Sequence, residues 1–156
     1  MKLMGKQNMY DHSIRVPFIV TGPDIPANRK VSADIYYQDV MASSLDIAGV
    51  EKPEYVQFNS VMELARGERT ESYYDAIYGC YIDLQRMIRK DGFKLIIYPE
   101  ADKTLLFDLE NDPLEMNDLS DDADYQDIKK GLFIDLLDLQ KEMNDELVMY
   151  KMPQIY

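Results

Sequence analysis

Apolar residues along this chain follow three patterns, and each predicts a different kind of element. Arg15-Val16-Pro17-Phe18-Ile19-Val20 is an apolar run with no polar alternation, closed by Thr21-Gly22-Pro23. An unbroken run of this length predicts a strand covered on both faces, as in a parallel sheet. Gly22-Pro23-Asp24-Ile25-Pro26 reads as a turn, and Val31 to Tyr37 as a short extended piece. Period-3.6 spacing then takes over. Tyr37, Met41, Leu45 and Ala48 would share one helical face, with Asp39 as N-cap and Gly49 as the stop. Residues 50–72 read as loop, with Asn59 capping a short helix, Ser60 to Ala65, that ends at Gly67.

Beyond residue 72 the period shifts toward two. Tyr73 to Tyr78, Leu84 to Arg89, Phe93 to Tyr98 and Thr104 to Leu109 predict about four antiparallel strands. Asp91-Gly92 is a hairpin signal between the second and third. Last, Ile128, Leu132, Leu136, Leu139, Met143 and Leu147 recur at spacings of four and three, which predicts one amphipathic helix over 124–149. The pattern is therefore α/β. It divides at about residue 72 into a segment 1–72, with one buried strand and a helix, and a segment 73–156, with an antiparallel sheet and a long helix.

Composition narrows the function classes. At 156 residues and 46% hydrophobic, the chain is long enough for a real core. A net charge of −12 speaks against a nucleic-acid-binding face. Lys2, Lys6 and Arg15 against Asp11 make residues 1–15 locally +2, which leaves −14 for the remainder. A basic patch on an acidic chain is where an anion would bind. No apolar run approaches the roughly 20 residues needed to span a bilayer, and the first residues lack the apolar core of a signal peptide. One cysteine, Cys80, excludes an internal disulfide and a Cys-rich zinc site.

The most informative stretch is Gly5-Lys6-Gln7-Asn8-Met9-Tyr10-Asp11-His12-Ser13-Ile14-Arg15-Val16-Pro17. By composition it is a solvated polar loop. Its place beside a predicted buried strand makes it a candidate site segment, because such loops often carry active-site residues. His12 is the sole histidine and reads as a surface or supporting group. The run Asp108 to Asp127 holds nine acidic residues and no Lys or Arg. Its opening resembles a calcium loop, yet Pro113 stands where that loop requires Gly, so a solvated acidic loop is expected.

Five segments in order resemble the sulfatases. Gly5-Lys6 through Arg15-Val16-Pro17 is similar to the stretch after the family's second metal-binding motif. Tyr36-Tyr37-Gln38-Asp39-Val40 through Leu45-Asp46-Ile47-Ala48-Gly49-Val50 resembles its Asp, helix and "LAG" ending. Ser60 to Glu68 resembles "SLLPLLKGE". Arg86-Met87-Ile88-Arg89 to Lys94-Leu95-Ile96 resembles its "R-x-x-R … YKLI" hairpin. Leu106 to Glu115 resembles its "LYDLENDPGE" closing motif.

The resemblance implies a C-terminal part of a formylglycine-dependent sulfatase, built on an alkaline-phosphatase-like fold. Residues 1–72 would end the catalytic domain at the edge of its central sheet, and 73–156 would form a C-terminal subdomain. Lys6 matches the lysine that contacts the sulfate ester, a catalytic and substrate-binding role; Arg15 matches a structural position. Asp11 stands where the family usually has Glu. Calcium and formylglycine are expected of a complete member, but no metal ligand is expected here. Cys80 lacks the Cys-x-Pro-x-Arg signal, since Cys80-Tyr81-Ile82-Asp83-Leu84 follows. The chain thus reads as starting after the nucleophile and metal ligands, and as inactive alone. The implied partner is a sulfate ester of a sugar or of a small aryl or alkyl alcohol. A periplasmic or extracellular location is expected for a complete member. Two other readings stand beside this one: a non-catalytic remnant or interaction module, and a related phosphoester or phosphonate hydrolase.

Overall fold

A computed structural model of the chain describes residues 6–147 and 149. Gly5 of the Gly-Lys string and Val148 near the end of the expected helix lie outside the described residues. Two compact units form, one from Met1–Val16 with Ala76–Tyr156 and one from Pro17–Asp75.

The first unit is built on an antiparallel meander, β1 (Ile77–Tyr81), β2 (Gln85–Lys90), β3 (Phe93–Tyr98) and β4 (Lys103–Asp108), in the order β1-β2-β3-β4. Asp91 and Gly92 join β2 to β3 with φ of 50° and 79°. Two successive left-handed residues match the twist of a hairpin, which is why the Asp-Gly pair sits there. The register stacks Tyr78, Ile88, Leu95 and Leu106 on one face, and Met87, Ile96 and Leu105 on the other. Helix α4 (Gln126–Glu142), entered through a 3₁₀ turn at Ala123–Tyr125, covers the first face with Leu132, Phe133 and Leu136. Met9, with Tyr10, covers the second, against Met87, Ile96, Leu105 and Phe107. Both faces of β3 are therefore dry. That explains the unbroken Leu95-Ile96-Ile97 run, which an exposed sheet face would have interrupted with polar residues.

Helix α4 is shorter than the 124–149 expected. It stops at Glu142, and Asn144 turns left-handed at φ 52°. The Leu147 spacing continued the period, but the chain reverses there, fixed by Gln140 Nε2 donating to Leu147 O at 2.7 Å.

The second unit holds α2 (Asp39–Ile47) and α3 (Met62–Arg66). Gly49 and Gly67 follow them at positive φ, as expected of helix stops. Four expectations fail here. The segment Val16 to Val20 is not a strand; Val16 and Phe18 are exposed and Ile19 is 86% exposed. A doubly covered strand needs neighbouring parallel strands, and the described residues supply none. Helix α2 buries Asp39, Ala42 and Ser43, not the Tyr37, Met41, Leu45, Ala48 face; Tyr37 and Met41 are exposed. Asp39 is also not an N-cap. Gln38 holds that place, and the Asp39 carboxylate instead takes Tyr36 N–H at 2.9 Å, Asn59 N–H at 3.1 Å and the Tyr74 hydroxyl. Tyr36 packs edge-on against Tyr74 and Phe58 around it. Similarly, α3 is preceded by Val61, with the Ser60 hydroxyl rather than Asn59 accepting from Met62 N–H at 3.2 Å.

Candidate functional site

The loop that carries Lys6 is fastened to the second face of the sheet at three points. Gln85, on β2, donates from Nε2 to Gln7 O at 3.1 Å. Next, the Met9 side chain enters the core over Gly79, where an added Cβ would lie 3.2 Å from the Met9 sulfur and 2.7 Å from Met87 Cε. Glycine at 79 is thus what lets the loop approach β1. Finally, the single turn α1 (Asp11–Ile14) brings Asp11 onto Lys94.

Lys94 has no solvent-exposed surface and sits on β3 between two carboxylates, Asp11 and Glu115. Its Nζ is 2.5 Å from Glu115 Oε1, and Glu115 Oε2 accepts the Asp11 backbone N–H at 2.7 Å. The second Asp11 oxygen faces Arg89 at 3.4 Å and Arg15 at 3.7 Å. An ammonium taken out of water is tolerated only when paired and hydrogen-bonded, and the two acids pair with Lys94 and accept two of its three N–H groups. Arg15 is 72% exposed and adds little to this. Burial pushes the nearby Tyr10 and Tyr98 hydroxyls upward, Tyr98 to about 12, helped for Tyr98 by Tyr10 and Glu115 and for Tyr10 by Asp118 and Glu115.

Lys6 itself is exposed at the open end of this loop. Exposed His12 stacks on Tyr10 with ring centres 5.6 Å apart, and its Nε2 is 3.5 Å from Asn8 Nδ2. Cys80 is exposed on β1, opposite Arg86.

The acidic run is not simply a solvated loop, as its composition suggested. Asp108 accepts from Glu110 N–H, Asn111 N–H and Asn111 Nδ2 at 3.0, 3.1 and 2.8 Å. Asp112 takes the Met116 and Asn117 amides, both at 2.7 Å, and Asp118 takes Leu106 N–H at 3.1 Å and Ser120 N–H at 3.0 Å. Glu115 is buried against Lys94. These carboxylates are engaged by backbone amides, by the Asn111 side-chain amide and by a lysine, so much of the run is a series of fixed turns.

A second network lies on the α4 side of the sheet. Arg86 is buried and pairs with Asp145, with Nη2 to Oδ1 at 3.0 Å, while the Tyr78 hydroxyl donates to the same carboxylate. Burial works against the Asp145 charge, but hydrogen bonds from Arg86, Tyr78 and the Leu147 N–H outweigh it and hold its pKa down to about 2. The Tyr78 hydroxyl is pushed far up by burial and by Asp145. The sequence contained Arg86 only as part of a hairpin resemblance, and nothing in its spacing paired it with Asp145. Lys94 did leave a signal, a lone charge heading an apolar strand run, but its partners were not readable.

A family model described as "N-sulphoglucosamine sulphohydrolase, C-terminal" matches residues 1–142. An N-acetylglucosamine-6-O-sulfatase from Bacteroides thetaiotaomicron is 32% identical, over 94% of this chain and 29% of its own length. A candidate sulfatase structure from Bacteroides thetaiotaomicron superposes with a TM-score of 0.78 at 26% identity, over 89% of this chain and 32% of that one. A protein solved with its substrate D-glucosamine-2-N,6-O-disulfate gives a TM-score of 0.63 at 28% identity, over 73% of this chain and 25% of that one. This chain spans about a quarter to a third of the length of the curated relatives it matches.

Proposed function

The chain belongs to the sulfatases, as a C-terminal part of the N-sulphoglucosamine sulphohydrolase type, and on that premise we propose that it serves an enzyme hydrolysing sulfate esters of sugars, with Lys6 as its contact to the sulfate group. The family match over residues 1–142 carries this reading. A curated N-acetylglucosamine-6-O-sulfatase relative, and a similar structure solved with a sulfated glucosamine as substrate, favour a sugar over a small aryl or alkyl alcohol. The exposed ammonium of Lys6, on a loop whose next residues are fastened to the sheet, suits the task. A compact positive charge held in place can neutralise charge that builds on the sulfate oxygens as the ester bond breaks.

Formylglycine and calcium belong to the chemistry that the family resemblance implies. The contribution of this chain is to bind and orient: Lys6 meets the sulfate, and the sheet beneath holds the loop.

The test is kinetic. The 156-residue chain alone is expected to give no turnover of 4-nitrophenyl sulfate or glucosamine 6-sulfate. In a sulfatase carrying this chain as its C-terminal portion, Lys6→Ala should lower kcat by roughly 10²–10³-fold with little change in melting temperature. Near-normal turnover in that variant, with a large drop in melting temperature, would remove Lys6 from the site.

A further inference from the structure

We infer that Asp11, clamped between Lys94 and Glu115, is a positioning residue that fixes the loop carrying Lys6 and so sets where the ammonium stands. The inference rests on the proposed role of Lys6 and adds the group through which the fold controls it.

Asp11 is five residues beyond Lys6, and the loop between them is short and pinned. Gln85 grips the carbonyl of the residue after Lys6, and Met9 is held over Gly79. Asp11 supplies the remaining fastening, through its carboxylate to Lys94 and its backbone N–H to Glu115. The contact enforces itself. Lys94 has no exposed surface, so a loop that drifted away would leave a buried ammonium with one acid instead of two.

The other acid is held with equal care. Glu115 is buried and adopts φ 55°, a left-handed conformation uncommon for a residue with a side chain. Asp112 accepts the two amides that follow Glu115, and Glu115 N–H donates to Asp112 O at 3.0 Å. The acidic run is therefore a device that presents one carboxylate to Lys94 and to the Asp11 amide. A surface loop of ordinary kind would not need it. A group that must meet a reacting sulfate does, because a displacement of about 1 Å can cost roughly 10²-fold in rate.

Two measurements test this separately from the role of Lys6. The first is amide hydrogen exchange on the chain itself. Asp11→Asn should speed exchange at Met9 to Ser13 by at least about tenfold, the release of a local contact. Ile88, Leu95 and Leu106 should stay protected, and Asp11→Glu should restore the loop. Where Asp11→Asn melts the whole sheet, Glu115→Gln gives a milder change, since its amide oxygen still accepts, and the same local pattern is expected. Unchanged loop exchange in a folded Asp11→Asn or Glu115→Gln variant overturns the inference, whatever Lys6 does. The second is kinetics in a sulfatase carrying this chain. Asp11→Asn should lower kcat by roughly 10²-fold at nearly constant KM, with recovery in Asp11→Glu. It should cause no further loss when added to Lys6→Ala, as expected of residues acting as one unit. Additive losses would mean that Asp11 acts apart from Lys6, and the inference would fail. Normal turnover in Lys6→Ala, with a loop that responds to Asp11→Asn, would instead sink the role of Lys6 and leave the fastening intact.

Discussion

Leu95-Ile96-Ile97 and Phe18-Ile19-Val20 carry the same unbroken apolar pattern and meet opposite fates. The first is buried to 2% exposure or less on a sheet covered by α4 on one face and by the Met9 loop on the other. The second forms no strand, and Ile19 is 86% exposed. An uninterrupted run states a demand for cover on both faces. Whether the demand is met depends on what else folds beside it. The same contrast runs through the two compact units. The sheet unit buries a layered apolar core. The unit of Pro17–Asp75 organises much of itself around one buried carboxylate, Asp39, and leaves Tyr37, Met41, Ile47 and Tyr55 exposed.

The contrast can be broken most sharply at Leu136, which has no exposed surface and joins α4 to the sheet. Leu136→Ala should cost roughly 2–5 kcal/mol by urea unfolding, the range for a truncated core leucine. A loss under about 1 kcal/mol would mean that the core is less tightly packed than described. In the other unit, Asp39→Ala leaves two amides and a hydroxyl without their acceptor. At roughly 1–3 kcal/mol for a buried group left unpaired, the loss should fall within Pro17–Asp75, read by faster amide exchange at Tyr36 and Asn59. Equal loosening of β3 would show that the two units share one folding transition.

A smaller effect is expected with pH. The folded pKa of Asp145, about 2, lies below the usual carboxylate value. Its stabilisation is therefore complete above the unfolded value and disappears as the pH falls from about 4 through 2. The difference corresponds to about 2 kcal/mol. Asp145→Asn should flatten that part of the stability profile, and an unchanged slope would remove Asp145 as its source. The smallest effect belongs to the exposed apolar face of α2. Met41→Ser and Ile47→Ser should change stability by no more than about 0.5 kcal/mol, measured by thermal melting.

Much of the sheet unit was legible because its signals are local. Asp91-Gly92 states its own turn, and the strands around it need only their neighbours in sequence. The α4 face was legible too, since Leu132 and Leu136 are one turn apart. The errors came where a residue's partner lay far along the chain. Asp39 looks like a helix cap because local spacing shows only the helix, while its acceptors serve Asn59 and Tyr74 as well. Helix α2 was assigned the wrong face because periodicity marks an apolar stripe without saying whether anything packs on it. The acidic run looked solvated because composition counts charges and not the amides that they cap.

By itself, then, the sequence determined three of the four strands and the hairpin between β2 and β3, the two glycine stops, the existence of a long amphipathic helix and, through five ordered motifs, membership of the sulfatases; the first strand forms at Ile77–Tyr81, not at the expected Tyr73 to Tyr78. By resemblance, the same text proposed Lys6 as the lysine that would contact the sulfate. Only the tertiary structure decided that the loop of Lys6 lies on the far face of the sheet, that Asp11, Lys94 and Glu115 meet beneath it, and that Arg86 closes on Asp145. Each of those contacts joins residues between 21 and 104 positions apart. A charge in the sequence records a cost of burial, but the partner that offsets it is chosen by how the sheet brings distant strands and loops together.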